Sequence, residues 1–186
     1  DNQRGMTVAG RESEIICISA LEYIMGKADS VKKKIFASIK ENPIITDEQK
    51  NKYANLVDTE IIWCKDQQNL LIKFIKYFKE FNPDIVGGHN VINYDFPFLV
   101  NTLLYMTREM LPPAPGCVRL LYMGRLKGVE TTAKAFEFKS KQSGSIRGTN
   151  IFIPGRWILD TLPDTIAGSL DKYRSYTLSC LAKDIL

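Results

Sequence analysis

Residues 59 to 104 constrain the fold more than any other part of the chain, because they read strand, helix, strand, helix in close succession. Thr59–Cys64 (TEIIWC) is apolar and β-branched, as a buried strand is. Asp66 then stands as a helix N-cap, and Leu70, Leu71, Phe74, Ile75 and Phe78 follow at helical spacing. Asn82-Pro83 stops that helix, since the residue before a proline disfavours helical geometry. Asp84–Gly88 (DIVGG) is a short strand running into a glycine turn, and a second helix starts at Asp95, with Leu99, Leu103 and Met106 on one side and Pro97 in its first turn. Alternation of this kind implies a layered α/β domain.

The flanks extend the pattern. Glu14–Leu21 (EIICISAL) reads as a buried strand. Lys27–Lys52 is lysine-rich, with the run Lys32, Lys33, Lys34, and is expected to be a surface insertion containing some helix. Lys134–Lys139 and Asn150–Ile153 alternate like strands across a polar, glycine-containing connection. Trp157–Leu162 is another strand, with Asp160 on it, and Thr177 caps a final amphipathic helix. A length of 186 residues suits one domain.

Composition narrows the chemistry. The single histidine, His89, excludes any site that needs several. Cys17, Cys64, Cys117 and Cys180 include no CxxC pair, which argues against a zinc ribbon or redox motif and suits a reducing, intracellular setting. No apolar run is long enough to span a bilayer, and no signal peptide opens the chain. The net charge of +4 is compatible with an anionic partner, although many proteins with no nucleic-acid role carry as much.

The stretch from Asn82 to Leu104 carries the chemistry. Gly87-Gly88 lets the backbone turn sharply and approach a ligand. His89 and Asn90 lie on that turn, and Asp95 heads the following helix. Asp95 can cap the helix, or it can face the cleft at the carboxyl end of the sheet, where α/β proteins bind ligands. Asn90-Val91-Ile92-Asn93-Tyr94-Asp95-Phe96-Pro97-Phe98-Leu99, with its lead-in Pro83-Asp84-Ile85-Val86 and Gly88-His89-Asn90, resembles the second exonuclease motif of the family B DNA polymerases. Met123-Gly124-Arg125, Phe138 to Gly144, Gly155-Arg156 with Asp160, and Arg174 to Leu178 resemble successive segments of the delta-type enzymes. The likeness runs from about Glu14 to Leu186 and is weakest between Lys27 and Lys52.

That resemblance implies a ribonuclease H-like mixed sheet flanked by helices, and 3′→5′ proofreading by two-metal hydrolysis. Two divalent ions are expected, Mg²⁺ first and Mn²⁺ as an alternative. Asp95 matches the metal-binding carboxylate. Asn90 matches an asparagine that organises the site or bonds the terminal nucleotide. Tyr94 matches an aromatic that stacks on a base, beside the alternative that it is core. His89 is expected to orient or pack, Asp160 to have a hydrogen-bonding role, and Ser175 and Thr177 to shape the last helix. Lys139, Lys141, Arg147 and Arg156 are candidates for phosphate contacts, or simply solvated. The first motif, an Asp-x-Glu pair on the opening strand of the domain, is not found at a matching position, and the third, Tyr-x-x-x-Asp, is absent from residues 1–186. The chain is therefore expected to be part of a longer polymerase and inactive alone.

Implied partners are the single-stranded 3′ end of a DNA primer, nucleotides, a sliding clamp and accessory subunits, with no membrane. The implied setting is the nucleus if the source is eukaryotic, otherwise cytoplasm or a viral replication site. A catalytically inactive ribonuclease H-like scaffold or DNA-binding module is the alternative, and a free-standing exonuclease is a third reading.

Overall fold

A computed structural model describes residues 13–40, 48, 58–109, 119–140, 144–163, 175–177 and 179–181. Strand β1 (Cys17–Ile24) turns at Met25-Gly26 and pairs antiparallel with β2 (Lys27–Ser38), Cys17 opposite Ala37 and Ile24 opposite Lys27. Gly26 sits at φ +80, a backbone conformation that glycine adopts without steric penalty. β2 then pairs in parallel with β3 (Thr59–Cys64), Phe36 beside Ile62 and Ser38 beside Cys64.

The expectation of a surface insertion over residues 27–52 does not hold for its first part, since Lys27–Ser38 is the central strand of this three-stranded sheet. The reason is visible in the register. The face of β2 that meets the first helix presents Lys34, Phe36 and Ser38, and of these Phe36 alone is a large hydrophobe, so the lysine run hides the alternation. Lys34 reaches the helix as a cation, 4.8 Å from the ring centroid of Tyr77 and 3.2 Å from Glu60. Burial first, and the neighbouring Glu22 carboxylate next, push the Tyr77 phenol well above its usual range. Apart from Glu48, residues 41–52 lie outside the described residues.

Helix α1 (Gln67–Phe81) forms as its sequence dictates. The Asp66 carboxylate accepts a hydrogen bond from Asn69 N at 2.7 Å, and Asn82, at φ 54 and ψ 54, closes the far end by donating its N–H to Phe78 O. Leu70, Leu71, Phe74, Ile75 and Phe78 are buried. Phe74 meets Phe36 edge to face, with ring centroids 5.6 Å apart. Each such burial is worth about 1.5–3 kcal/mol, which ties α1 to the sheet.

Strand β4 (Ile85–Gly88) pairs in parallel with β7 (Trp157–Asp160), Ile85 beside Trp157 and Gly88 beside Asp160. Helix α2 (Asp95–Leu104) continues into a π-helical turn, Tyr105–Glu109. β5 (Thr132–Ser140) and β6 (Gly144–Phe152) form an antiparallel hairpin. Most of the expected polar connection between them is therefore strand, and residues 141–143 lie outside the described residues. The domain is mixed α/β. The single mixed sheet expected of it is not seen, because among the described residues the strands bond as three separate sheets. One buried cluster joins α1, α2, Phe36, Cys64, Leu120, Leu121, Met123 and Ile153. Cys17, Cys64 and Cys180 are not in disulfide bonds, and among the described residues no helix is long and apolar enough to cross a membrane.

Candidate active site

Parallel pairing of β4 with β7 brings Gly88 and Asp160 side by side at the carboxyl ends of their strands. The chain leaves β4 at Gly88 through a tight turn. A Cβ on Gly88 would lie 2.4 Å from Val91 Cγ1, so the turn closes on a residue with no side chain. Asn90 adopts φ 62, a left-handed conformation that asparagine tolerates better than most residues. Tyr94 N donates to Asn90 O at 3.1 Å and Phe96 N to Val91 O at 2.9 Å, which leads the turn directly into α2.

Beneath the turn sits Asp160, 8% exposed. Its Oδ1 accepts from Asn90 N at 2.8 Å and from Leu162 N at 3.0 Å, and its Oδ2 accepts from Ile92 N at 3.1 Å. This is the hydrogen-bonding role expected of a buried carboxylate. His89 Nε2 donates to Tyr176 O at 2.9 Å, and Nδ1 lies 3.4 Å from Thr161 Oγ1. His89 thereby holds the 175–177 segment beside the turn, an orienting and packing role.

The result is an open cleft of about 530 Å³ lined by His89, Asn90, Tyr94, Asp95, Leu162 and Ser175 to Thr177. Asn90, Tyr94 and Asp95, each singled out in the sequence, meet in it. Tyr94 is 68% exposed, so the core reading of this ring fails and its face is open to a stacking partner. The cap of α2 is Tyr94, with no side-chain cap hydrogen bond, and Asp95 is the first helical residue. Burial raises the Asp95 carboxyl above the ordinary carboxylate range, its own backbone N–H opposes this, and the charge of Asp160 adds to the rise.

Ser175 and Thr177 line the cleft as well as bonding one another at 3.3 Å, a placement that local sequence reading assigned only to shaping a helix. Arg156 corrects the expectation of a phosphate contact: it is buried, and its guanidinium serves the carbonyls of Met123 and Pro83. Lys141 and the side chains of Lys139 and Arg147 lie outside the described residues.

Among the described residues no group of three or more His, Cys, Asp and Glu could hold a metal ion. Asp95 is, among the described residues, the one carboxylate lining the cleft, and most of the acceptor capacity of Asp160 is occupied by backbone N–H groups. These residues fit one oxygen ligand of a hard cation, not a complete two-cation site.

The mixed α/β fold agrees with the outcome of comparison. The chain belongs to the family B DNA polymerases as their exonuclease domain: residues 2–181 match the family described as "DNA polymerase family B, exonuclease domain". It is similar to the DNA polymerase delta catalytic subunit of Plasmodium falciparum (isolate K1 / Thailand), 29% identical over 177 residues, which is 95% of this chain and 14% of that one. It is 28% identical over 184 residues to the subunit of the same name from Caenorhabditis elegans, covering 99% of this chain and 15% of that one. The likeness to the Drosophila melanogaster subunit is 26% over 136 residues, 73% of this chain. The chain spans about one seventh of the length of the first two relatives, 14% and 15%.

Proposed function

We propose that these residues are the greater part of a 3′→5′ proofreading exonuclease domain with a ribonuclease H-like fold, carried within a replicative DNA polymerase. The observation that carries this reading is the meeting of Asn90, Tyr94 and Asp95 in one open cleft at the carboxyl ends of two parallel strands. The substrate is the single-stranded 3′ end of a primer. Tyr94, with its ring exposed, stacks on a terminal base, and base stacking of this kind is tolerant of sequence. The amide of Asn90 bonds the terminal nucleotide. Asp95 supplies one oxygen ligand to a divalent cation, Mg²⁺ or in its place Mn²⁺, with the other ligands coming from residues outside those described. A pair of such cations, held by Asp95 together with further ligands, would supply activation of water and stabilisation of the departing 3′ oxygen.

The whole polymerase would also synthesise DNA from nucleotides, as the name shared by the relatives, DNA polymerase delta catalytic subunit, suggests; a clamp, accessory subunits and a nuclear setting belong to the same proposal. A second reading, an inactive scaffold of the same fold, is favoured by the single carboxylate lining the cleft among the described residues. The test is Mg²⁺-dependent shortening of a 3′-mismatched primer by the full-length polymerase that contains these residues, beside its Asp95→Ala variant. Excision that disappears in the variant while synthesis persists supports the exonuclease. A folded, synthesising polymerase that never excises would sink it and leave the scaffold.

A further inference from the structure

We propose that Asp160 is the positioning residue of this site: its buried carboxylate fixes the turn that carries Asn90, Tyr94 and Asp95, without itself contacting substrate. The inference rests on the exonuclease reading for its effect on rate, and on hydrogen-bond geometry for the rest.

The turn is remote from Asp160 in sequence, 70 residues for the Asn90 bond and 68 for the Ile92 bond. What brings them together is the register of β4 on β7, which sets Gly88 beside Asp160 and lets the carboxylate reach just past the strand end. There it receives N–H groups from alternate residues of the turn, Asn90 and Ile92. Holding both amides fixes the peptide planes that precede Asn90 and Ile92, and the second of these contains the Val91 carbonyl, which accepts from Phe96 N at 2.9 Å. That bond and the one from Tyr94 N to Asn90 O then determine where α2 starts, and so where Asp95 points. The third bond, from Leu162 N two residues on, orients the carboxylate against its own backbone. The left-handed Asn90, an unfavourable conformer for a residue with a side chain, persists because this arrangement over-determines it.

Only a carboxylate suits the position. Three donors converge on Asp160, so its side chain must accept at both oxygens and donate at neither. In an asparagine the carbonyl oxygen keeps the bonds from Asn90 N and Leu162 N, but the NH₂ group then faces Ile92 N–H, donor against donor. Three of roughly four acceptor sites on the carboxylate are filled, which leaves little to offer a cation. The charge that remains also reaches Asp95, where it opposes ionisation.

The experiment uses the full-length polymerase, its Asp160→Asn and Asp160→Ala variants, and two readouts. The first is hydrogen–deuterium exchange of the peptide spanning residues 88–95, with the α1 peptide as internal reference. The second is single-turnover excision of a 3′-mismatched primer in Mg²⁺, separated into maximal rate and half-saturating primer concentration. In Asp160→Asn, exchange in the 88–95 peptide should quicken at least tenfold while α1 stays protected. The maximal excision rate should fall at least tenfold and the half-saturating primer concentration should rise, because the turn carries Asn90 and Tyr94 as well as Asp95. Asp160→Ala should lose more of both, so that asparagine counts as partial rescue. Excision at the parental rate in Asp160→Asn overturns the proposal. So does exchange that rises equally in α1, which would mark a merely structural residue. If the parent polymerase itself fails to excise, the exonuclease reading falls, and the exchange comparison alone decides whether Asp160 holds the turn.

Discussion

Arg156 stands just before β7, and replacing it with methionine tests how the entrance to β4 and β7 is held. The side chain is buried, with Nε donating to Met123 O at 3.1 Å and Nη1 donating to Pro83 O. Its guanidinium carbon lies 4.9 Å from the Phe78 ring centroid. One group thus fastens the end of α1, the peptide entering β4 and the loop at Met123. Methionine preserves most of the aliphatic stem and removes every donor. Hydrogen bonds from a charged donor contribute about 1.5–3 kcal/mol each, and the cation over the ring adds about 0.5–2 kcal/mol. Against that stands the desolvation of a buried cation, which burial and the nearby Arg125 express by lowering the Arg156 pKa. The net loss should be about 2–4 kcal/mol. For a domain of this size that corresponds to a melting temperature lower by roughly 5–15 °C, and to a urea midpoint lower by about 1–2 M. Urea unfolding followed by circular dichroism measures it. Arg156→Lys should fall between the two, because a point charge cannot serve both carbonyls and stack on Phe78. A loss below about 0.5 kcal/mol in Arg156→Met, smaller than the loss of one hydrogen bond, would refute this account.

Two further substitutions probe the site and the packing. Asp95→Asn should raise the melting temperature at neutral pH in cation-free buffer. The folded state holds the Asp95 carboxyl above the ordinary carboxylate range, so its neutral form is favoured by folding and its ionised form is penalised. The gain should therefore be complete at neutral pH and vanish as the pH falls through the raised pKa to below the ordinary carboxylate range; a melting temperature unchanged or lowered at neutral pH would contradict it. Gly124→Ala should destabilise by about 1–3 kcal/mol, the usual range for overpacking. Its Cβ would lie 2.5 Å from Pro154 O and 2.7 Å from Pro154 Cδ, where Arg125 N also bonds Pro154 O at 2.7 Å. Thermal unfolding measures it, and an unchanged midpoint would mean that the Pro154 loop yields freely.

Much of this protein was decided locally and is legible in its residues. Strand β3, the cap and stop of α1, the strand entering Gly87-Gly88 and the helix headed by Asp95 all follow from periodicity, capping chemistry and proline, which act over a few residues. The candidate residues Asn90, Tyr94 and Asp95 are neighbours in sequence, and so they could be named together before any fold was known. Strand β2 escaped because Lys34 and Ser38 occupy inward positions, and a lysine stem lying on Tyr77 does not look like core in a sequence. The extent of β6 escaped because its pairing with β5 carries Gly148 opposite Phe136 and Thr149 opposite Ala135 into the ladder, within a polar, glycine-containing run that reads locally as a connection.

Other assignments belonged to tertiary structure alone. Arg156 could be solvent-facing or buried on its residue type; the carbonyls of Met123 and Pro83 decided that it is buried. The parallel register of β4 on β7 decided that Asp160 lies under the turn 70 residues earlier, and His89 meets Tyr176 across 87 residues. A register is a choice among pairings that each strand permits equally well, and only burial of the common core selects one.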